Sequence, residues 1–386
     1  MADAKRTSAA ILAIAFAGFA TFLDLYATQP LLPAFTEIFH ASKAEVGLTV
    51  SAPTTAVALA APVFGLVGDR FRRSSTMVVS LVALALSTFA AAGTSSLGAL
   101  VFWRFLQGIA TPGVYVSALA YLGEEIDAAV VGRAMAAFVT GNVIGGWAGR
   151  FVTGFIATHT HWSRAFLVLG ALNTIGALVT WRYLPRSSTP GAPATLRLRE
   201  RVGRIFTAAL GTNFLVGFNV LFVLVSIFSF VGFRLTAPPF SLATSELSTV
   251  FSVYLVGALA TPVAGRLIDR LGSQHVLVGA LALGTIGTIL TLAPSLPVVI
   301  VGLAIVCTTC FACQSASTTR LRSAAPSSLR SLASGAYVTC YYLGGSAGGL
   351  APAYAWKLAG WPGCVALTVA VQLATIAVAR RAWALR

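Results

Sequence analysis

Gly65-Leu-Val-Gly-Asp69-Arg70 closes one long apolar run, and 200 positions later Gly265-Arg-Leu-Ile-Asp269-Arg270 closes another. A second pair keeps nearly the same offset. Gly145-Gly146-Trp-Ala-Gly149 returns as Gly344-Gly345-Ser-Ala-Gly348, and Trp162 returns as Trp361. An offset held constant over such a distance means that one half of the chain is built like the other. Two like halves in a membrane are the usual architecture of a carrier that rocks around a central site.

The composition puts those halves in a membrane. Hydrophobic residues make up 57% of the chain and charged residues 10%, with a mean hydropathy of +0.85. A soluble surface carries far more charge than this. A spanning helix takes about 20 apolar residues, so twelve take roughly 240 and leave only short loops. The apolar runs fall at 9–32, 45–68, 76–93, 97–120, 132–157 and 163–184, then at 209–232, 248–266, 275–293, 297–317, 333–355 and 361–382. The expectation is an all-α integral membrane protein of twelve transmembrane helices in two pseudo-symmetric six-helix halves. Residues 1–184 form the first half, 185–204 a cytoplasmic linker and 205–386 the second half. The Arg-rich end of that linker has helical spacing, which suits either a short helix on an anionic membrane face or a solvated tether.

The net charge of +15 reports topology. About 20 of the 26 Lys and Arg lie at the termini or in alternate loops, among them Lys5, Arg6, Arg70, Arg72, Arg73, Arg133, Arg266, Arg270, Arg320, Arg322, Arg380 and Arg381. The opposite loops carry only Lys43, Arg164, Arg234 and Lys357. This asymmetry places both termini in the cytoplasm. It also removes the reason to expect a nucleic-acid partner; the bilayer and a small-molecule substrate are the partners expected, and the chain is expected to be a monomer. Lys5 and Arg6 precede an apolar run too long for a signal peptide, and the run contains Asp24, so it reads as the first helix.

Asp24 is the one acidic residue in the interior of a predicted span; the others lie in loops, at termini or at helix ends. A carboxylate in a bilayer is costly and marks a functional site. At about 1.5 Å per residue, Arg104 on the fourth span reaches the same depth from the other direction. Burial favours the neutral carboxyl and a nearby guanidinium the charged one, so a site where the two nearly cancel can take up and release a proton. A static ion pair or direct substrate contact are the other readings. Gln107 lies one helical turn below Arg104, and Asn142 and Asn219 also fall near mid-membrane; each suits either substrate contact or interhelical bonding. Tyr26, Gln29, Tyr254, Tyr337 and Tyr341 are further cavity candidates. Arg150 lies near the outer end of the fifth span, where it can snorkel to the interface, attract an anion, or pair with Asp24.

The Gly-rich fifth and eleventh spans read either as close helix packing or as a sliding surface between halves. Gly65, Asp69, Arg70, Arg73, Gly265, Asp269 and Arg270 read as a cytoplasmic latch, since a carboxylate beyond one helix can cap the start of another. Cys307, Cys310 and Cys313 are spread over a third of a helix circumference with no His nearby, so no metal is expected. No Ser/His/Asp set lies in the spans, and no enzyme is expected.

With these motifs placed, the chain resembles the major facilitator superfamily over essentially its whole length. Gly65 to Arg73 resembles that superfamily's loop signature, with Arg72 in place of the usual Gly. Arg104 to Gly108 resembles the fourth-helix signature of proton-linked members. The fifth span resembles the antiporter signature, with Arg150 where Pro is common. Leu25-Tyr26-Ala-Thr-Gln29-Pro30-Leu-Leu-Pro33 and Phe233-Arg234-Leu-Thr-Ala-Pro238-Pro239-Phe240 look like the YnfM-type, or acriflavine-sensitivity, branch of drug and metabolite exporters. The resemblance implies a bacterial inner-membrane antiporter that exports a small organic or drug-like compound. No cofactor is implied; the proton gradient drives transport, Asp24 carries the proton and Arg104 is its electrostatic partner. A facilitator or importer for a sugar or organic acid is the alternative within the class, and a channel or non-transporting sensor the alternative outside it.

Overall fold

A computed structural model describes residues 2–67, 71–127, 129–187, 207–326 and 329–384. The described chain is helical, and its elements run as follows. Helices α1 (Ala2–Leu23), α2 (Leu32–Ile38), α3 (Lys43–Val67), α4 (Arg73–Ala92), α5 (Leu97–Glu124), α6 (Val131–His159) and α7 (Trp162–Tyr183) precede residue 187. Helices α8 (Ala208–Leu235), α9 (Thr244–Val250), α10 (Val253–Leu259), α11 (Thr261–Leu271), α12 (Ser273–Leu290), α13 (Leu296–Ala324) and α14 (Arg330–Ala384) follow residue 207.

These elements make twelve membrane helices. Nine stretches among the described residues are long and apolar enough to cross, and one of them, Leu332–Arg381, is two helices joined at Ala359–Gly360. Gly360 has φ 61°, a conformation open to glycine at little cost, and Pro362 follows it. The apolar part of α1, Thr7–Leu23, and α6 complete the set. The run expected at 248–266 forms as three consecutive pieces, α9 to α11. Leu59, Val79, Leu86, Phe102 and Trp181 point outward, as apolar side chains do where lipid replaces water.

The first run departs from a continuous helix. Residues 24–28 form turns and Gln29–Leu31 a single 3-10 turn before α2. Prolines cause the break: Pro30 and Pro33 have no N–H to donate back along the helix. The Gln29 amide donates to Tyr26 O instead of continuing the α pattern, at 3.1 Å. The carbonyl of Leu25 therefore loses its helical donor.

The chain folds as two compact units. The first comprises Met1–Ala41, Ala52–Ala194 and Ala243–Thr249; the second comprises Ser42–Ser51, Thr195–Leu242 and Val250–Arg386. In the first, Ile14, Ala17, Met77, Leu81, Val114 and Phe138 form the apolar core. The unit also includes α9, and a Cβ on Gly154 would overlap the Ser248 hydroxyl. The second unit takes in the start of α3. Ser51 donates to Ser346 O at 2.9 Å, and the Lys43 ammonium lies 5.1 and 5.2 Å from the ring centres of Phe233 and Trp356.

The glycine seams lie within each unit. A Cβ on Gly141, Gly145 or Gly149 would overlap the carbonyls of Ala15, Phe19 and Leu23 on α1. On α14, a Cβ at Gly344 or Gly348 would meet the carbonyls of Phe218 and Phe222 on α8. These seams bring α6 onto α1 and α14 onto α8 in close packing.

Candidate functional site

The broken segment after α1 is held by side chains from both α5 and α6. Arg104 is fully buried. It donates through Nη1 to Asp24 O at 2.6 Å and through Nη2 to Leu25 O at 2.7 Å. The second of these is the carbonyl that the helix break releases. Arg104 Nη1 also lies 2.6 Å from Gln107 Oε1. From α6, Thr153 donates to Ala27 O at 2.6 Å. Arg150 donates through Nε to Gln29 Oε1 at 2.7 Å and through Nη1 to Gly146 O, and its guanidinium carbon lies 4.7 Å from the Tyr26 ring centre. Irregular backbone at membrane depth is tolerated where protein supplies its hydrogen bonds. Arg104 and Thr153 supply them here, and Arg150 holds the side chain of Gln29.

Arg150 corrects one expectation. It is wholly buried against Tyr26 and Gln29 and does not snorkel. Its guanidinium bonds Gln29 of the broken segment and Gly146 of its own helix.

The carboxyl group of Asp24 faces a different set. Its Oδ2 accepts from Thr88 Oγ1 at 2.8 Å and from Asn173 Nδ2 at 2.5 Å. Gln107 Nε2 donates to Thr88 Oγ1 at 2.8 Å, joining α1, α4, α5 and α7 in one buried polar cluster. Asp24 Oδ1 has no hydrogen-bond partner, nor has Asn173 Oδ1. Sequence reasoning placed Asp24, Arg104 and Gln107 here and missed Thr88 and Asn173. The repeat carries the missing signal: Thr88 returns as Thr288 at the offset of the loop phrases, and Asn173 returns as Gln372 at the offset of the glycine phrases.

The other candidates disperse. The Asn142 amide, turned so that its nitrogen faces carbonyls, donates to Gly18 O at 3.0 Å, tying α6 to α1. In the second unit, Asn219, Thr309, Cys310, Cys313 and Gln372 line a small cleft. Asn219 Oδ1 is buried there without a partner. Tyr254 packs edge-on to Phe311, while Tyr337 stacks on Tyr341 and hydrogen-bonds Ser317 at 2.8 Å. All five cysteines are free. Of the latch residues, Arg73 pairs with Glu124 at 3.1 Å. Asp269 and Arg270 are exposed at the end of α11. Asp69, Arg70 and nearly all of the 185–204 linker lie outside the described residues.

Known proteins resemble this arrangement. The chain is 31% identical over 364 residues to the uncharacterized MFS-type transporter YybF of Bacillus subtilis, covering 93% of this chain and 90% of that protein. It is 29% identical over 270 residues to the inner membrane transport protein YnfM of Escherichia coli, covering 69% of this chain and 64% of that one. Among solved structures, the nucleoside transporter NupG superposes with a TM-score of 0.81 at 13% identity, covering 96% of this chain and 99% of that one. A bacterial homolog of the human lysosomal transporter Spinster, inward-facing and unoccupied, superposes with a TM-score of 0.79 at 16% identity, covering 98% and 97%. Residues 14–349 match the Major Facilitator Superfamily, so the chain belongs to that family and is a membrane transporter of its fold.

Proposed function

We propose that this transporter works by alternating access and exports a small organic compound across the bacterial cytoplasmic membrane in exchange for protons. The observation that carries the reading is Asp24, a buried carboxyl group at a break in a membrane helix, with one oxygen bonded twice and the other bonded to nothing. A group in that position changes its interactions whenever its protonation changes, and those changes fall on the one segment that α5 and α6 clamp. Arg104 acts through that segment's backbone, making it the anchor of Asp24. The termini face the cytoplasm in this reading, following the distribution of Lys and Arg.

In this reading Tyr26, Gln29, Arg150, Tyr254, Tyr337 and Tyr341 are the candidate substrate contacts. Aromatic faces together with one acidic side chain suit an amphipathic or cationic solute.

The test is purified protein in proteoliposomes loaded with a pH-sensitive dye and offered a broad panel of organic solutes. A transported solute should move protons in the opposite direction, and imposed pH gradients should drive its accumulation. Saturable solute flux with no proton movement would replace this reading with the facilitator alternative. Flux without counterflow would favour a channel.

A further inference from the structure

We propose that Asp24 holds its proton in this conformation and that Asn173 is the residue that positions it. The inference deepens the proton-coupled reading and rests on it. Both side chains are buried, at 1% and 0% exposure. Asn173 Nδ2 donates to Asp24 Oδ2 at 2.5 Å. Asp24 Oδ1 and Asn173 Oδ1 are each buried without a donor. A buried oxygen without a donor is costly, and a buried ionised one far more so. Two such oxygens on adjacent groups need one proton between them. Placed on Asp24 Oδ1, it donates to Asn173 Oδ1 and satisfies both.

The surrounding groups agree. Arg104 on α5 directs Nη1 and Nη2 to main-chain carbonyls and Gln107. Arg150 on α6 directs its bonds to Gln29 and Gly146. Helix α4 presents Thr88 and α7 presents Asn173, both neutral, and Tyr26 of the segment itself lies under Arg150. The carboxyl oxygens of Asp24 accept from Thr88 and Asn173 alone. Loss of the proton would leave two buried acceptors without a donor, and Asn173 would have to turn or part from Asp24. That rearrangement links the charge of Asp24 to the position of α7.

Infrared difference spectroscopy on the full chain in proteoliposomes at neutral pH tests this. A carbonyl band of a protonated carboxyl group is expected, shifted by ¹³C-aspartate labelling and missing in Asp24→Asn. Its frequency in the unsubstituted protein should be that of an acid donating a hydrogen bond, which decides the matter without a variant at Asn173. Asn173→Leu should move the band to higher frequency, and Asn173→Gln, which copies the amide of Gln372, should return it. Absence of an Asp24-dependent acid band, or a band at the frequency of an unbonded acid, overturns the proposal. Proton-independent transport with the expected band would remove the coupling reading alone. Proton-driven transport without the band would remove the inference alone.

Discussion

Thr88 and Thr288 stand 200 positions apart, and each meets the side-chain amide of a later helix in its own unit: Asn173 Nδ2 at 3.4 Å and Gln372 Oε1 at 3.4 Å. The polar core is thus repeated, but its charge is not. The residues 199 and 200 positions after Asp24 are Val223 and Leu224, and those after Arg104 are Leu303 and Ala304. One unit keeps a titratable centre where the other keeps a neutral one.

This asymmetry predicts how substitutions divide. Thr288→Val should lower the melting temperature slightly, since an interhelical hydrogen bond in lipid is worth roughly 0.6 kcal/mol. It should leave the dependence of transport on the proton gradient unaltered. Thr88→Val removes a donor to Asp24 and should change that dependence. Equal effects from the two would show that the halves share the coupling work.

Arg104 is expected to matter for stability as well as transport. Arg104→Ala would leave the Leu25 carbonyl without a donor, at about 1–3 kcal/mol for a buried group left unpaired, and the Asp24 carbonyl with the Ala27 N–H at 3.0 Å. Arg104→Lys keeps the charge but offers a point donor in place of a planar fork, and should recover only part of the loss. Thermal unfolding in detergent measures both. If the Ala variant melts with the unsubstituted protein, the clamp is not what holds the segment.

The overall architecture was legible because repetition survives in residues that packing or loops constrain. Gly145 and Gly149 match Gly344 and Gly348 because each must admit a backbone carbonyl of the neighbouring helix. The depth count that paired Asp24 with Arg104 was right about proximity and silent about the bond. It assumed an unbroken helix, whereas the prolines free a carbonyl that the arginine then takes. Thr88 and Asn173 were missed because a lone Thr or Asn in an apolar run is an ordinary helix-packing residue; only comparison of the halves singles them out. Arg150 was misread for the same reason as Arg104: the segment that buries it exists only once the first helix is broken.

The glycines predict opposite outcomes at two kinds of position. Gly149→Ala drives a methyl into the carbonyl of Leu23, directly before the broken segment, and overpacking of this kind costs about 1–3 kcal/mol. Gly265, in the repeated loop phrase, meets nothing within 4 Å among the described residues. Gly265→Ala should therefore melt no lower, and the better helix propensity of Ala can raise stability by up to about 1 kcal/mol. Packing among the described residues does not explain this glycine, so the proposed latch requires its close approach in another conformation. Slower transport in a fully stable Gly265→Ala protein is the expected result; unaltered turnover would remove the latch role from this glycine.

Asp24→Asn separates folding from coupling. The new amide is neutral, like the protonated acid, and its N–H₂ can donate to Asn173 Oδ1 as the acid proton does. The buried cluster stays satisfied, so the melting temperature should equal or exceed that of the unsubstituted protein. Because no proton can be released, the variant should be held in the protonated conformation. Solute exchange that needs no proton release, measured as counterflow between equal internal and external pH, should continue. Accumulation driven by a pH gradient should fall to the background of empty liposomes. A variant that unfolds would mean that Asp24 is charged and structural, and a stable one that still accumulates solute would place the coupling group elsewhere.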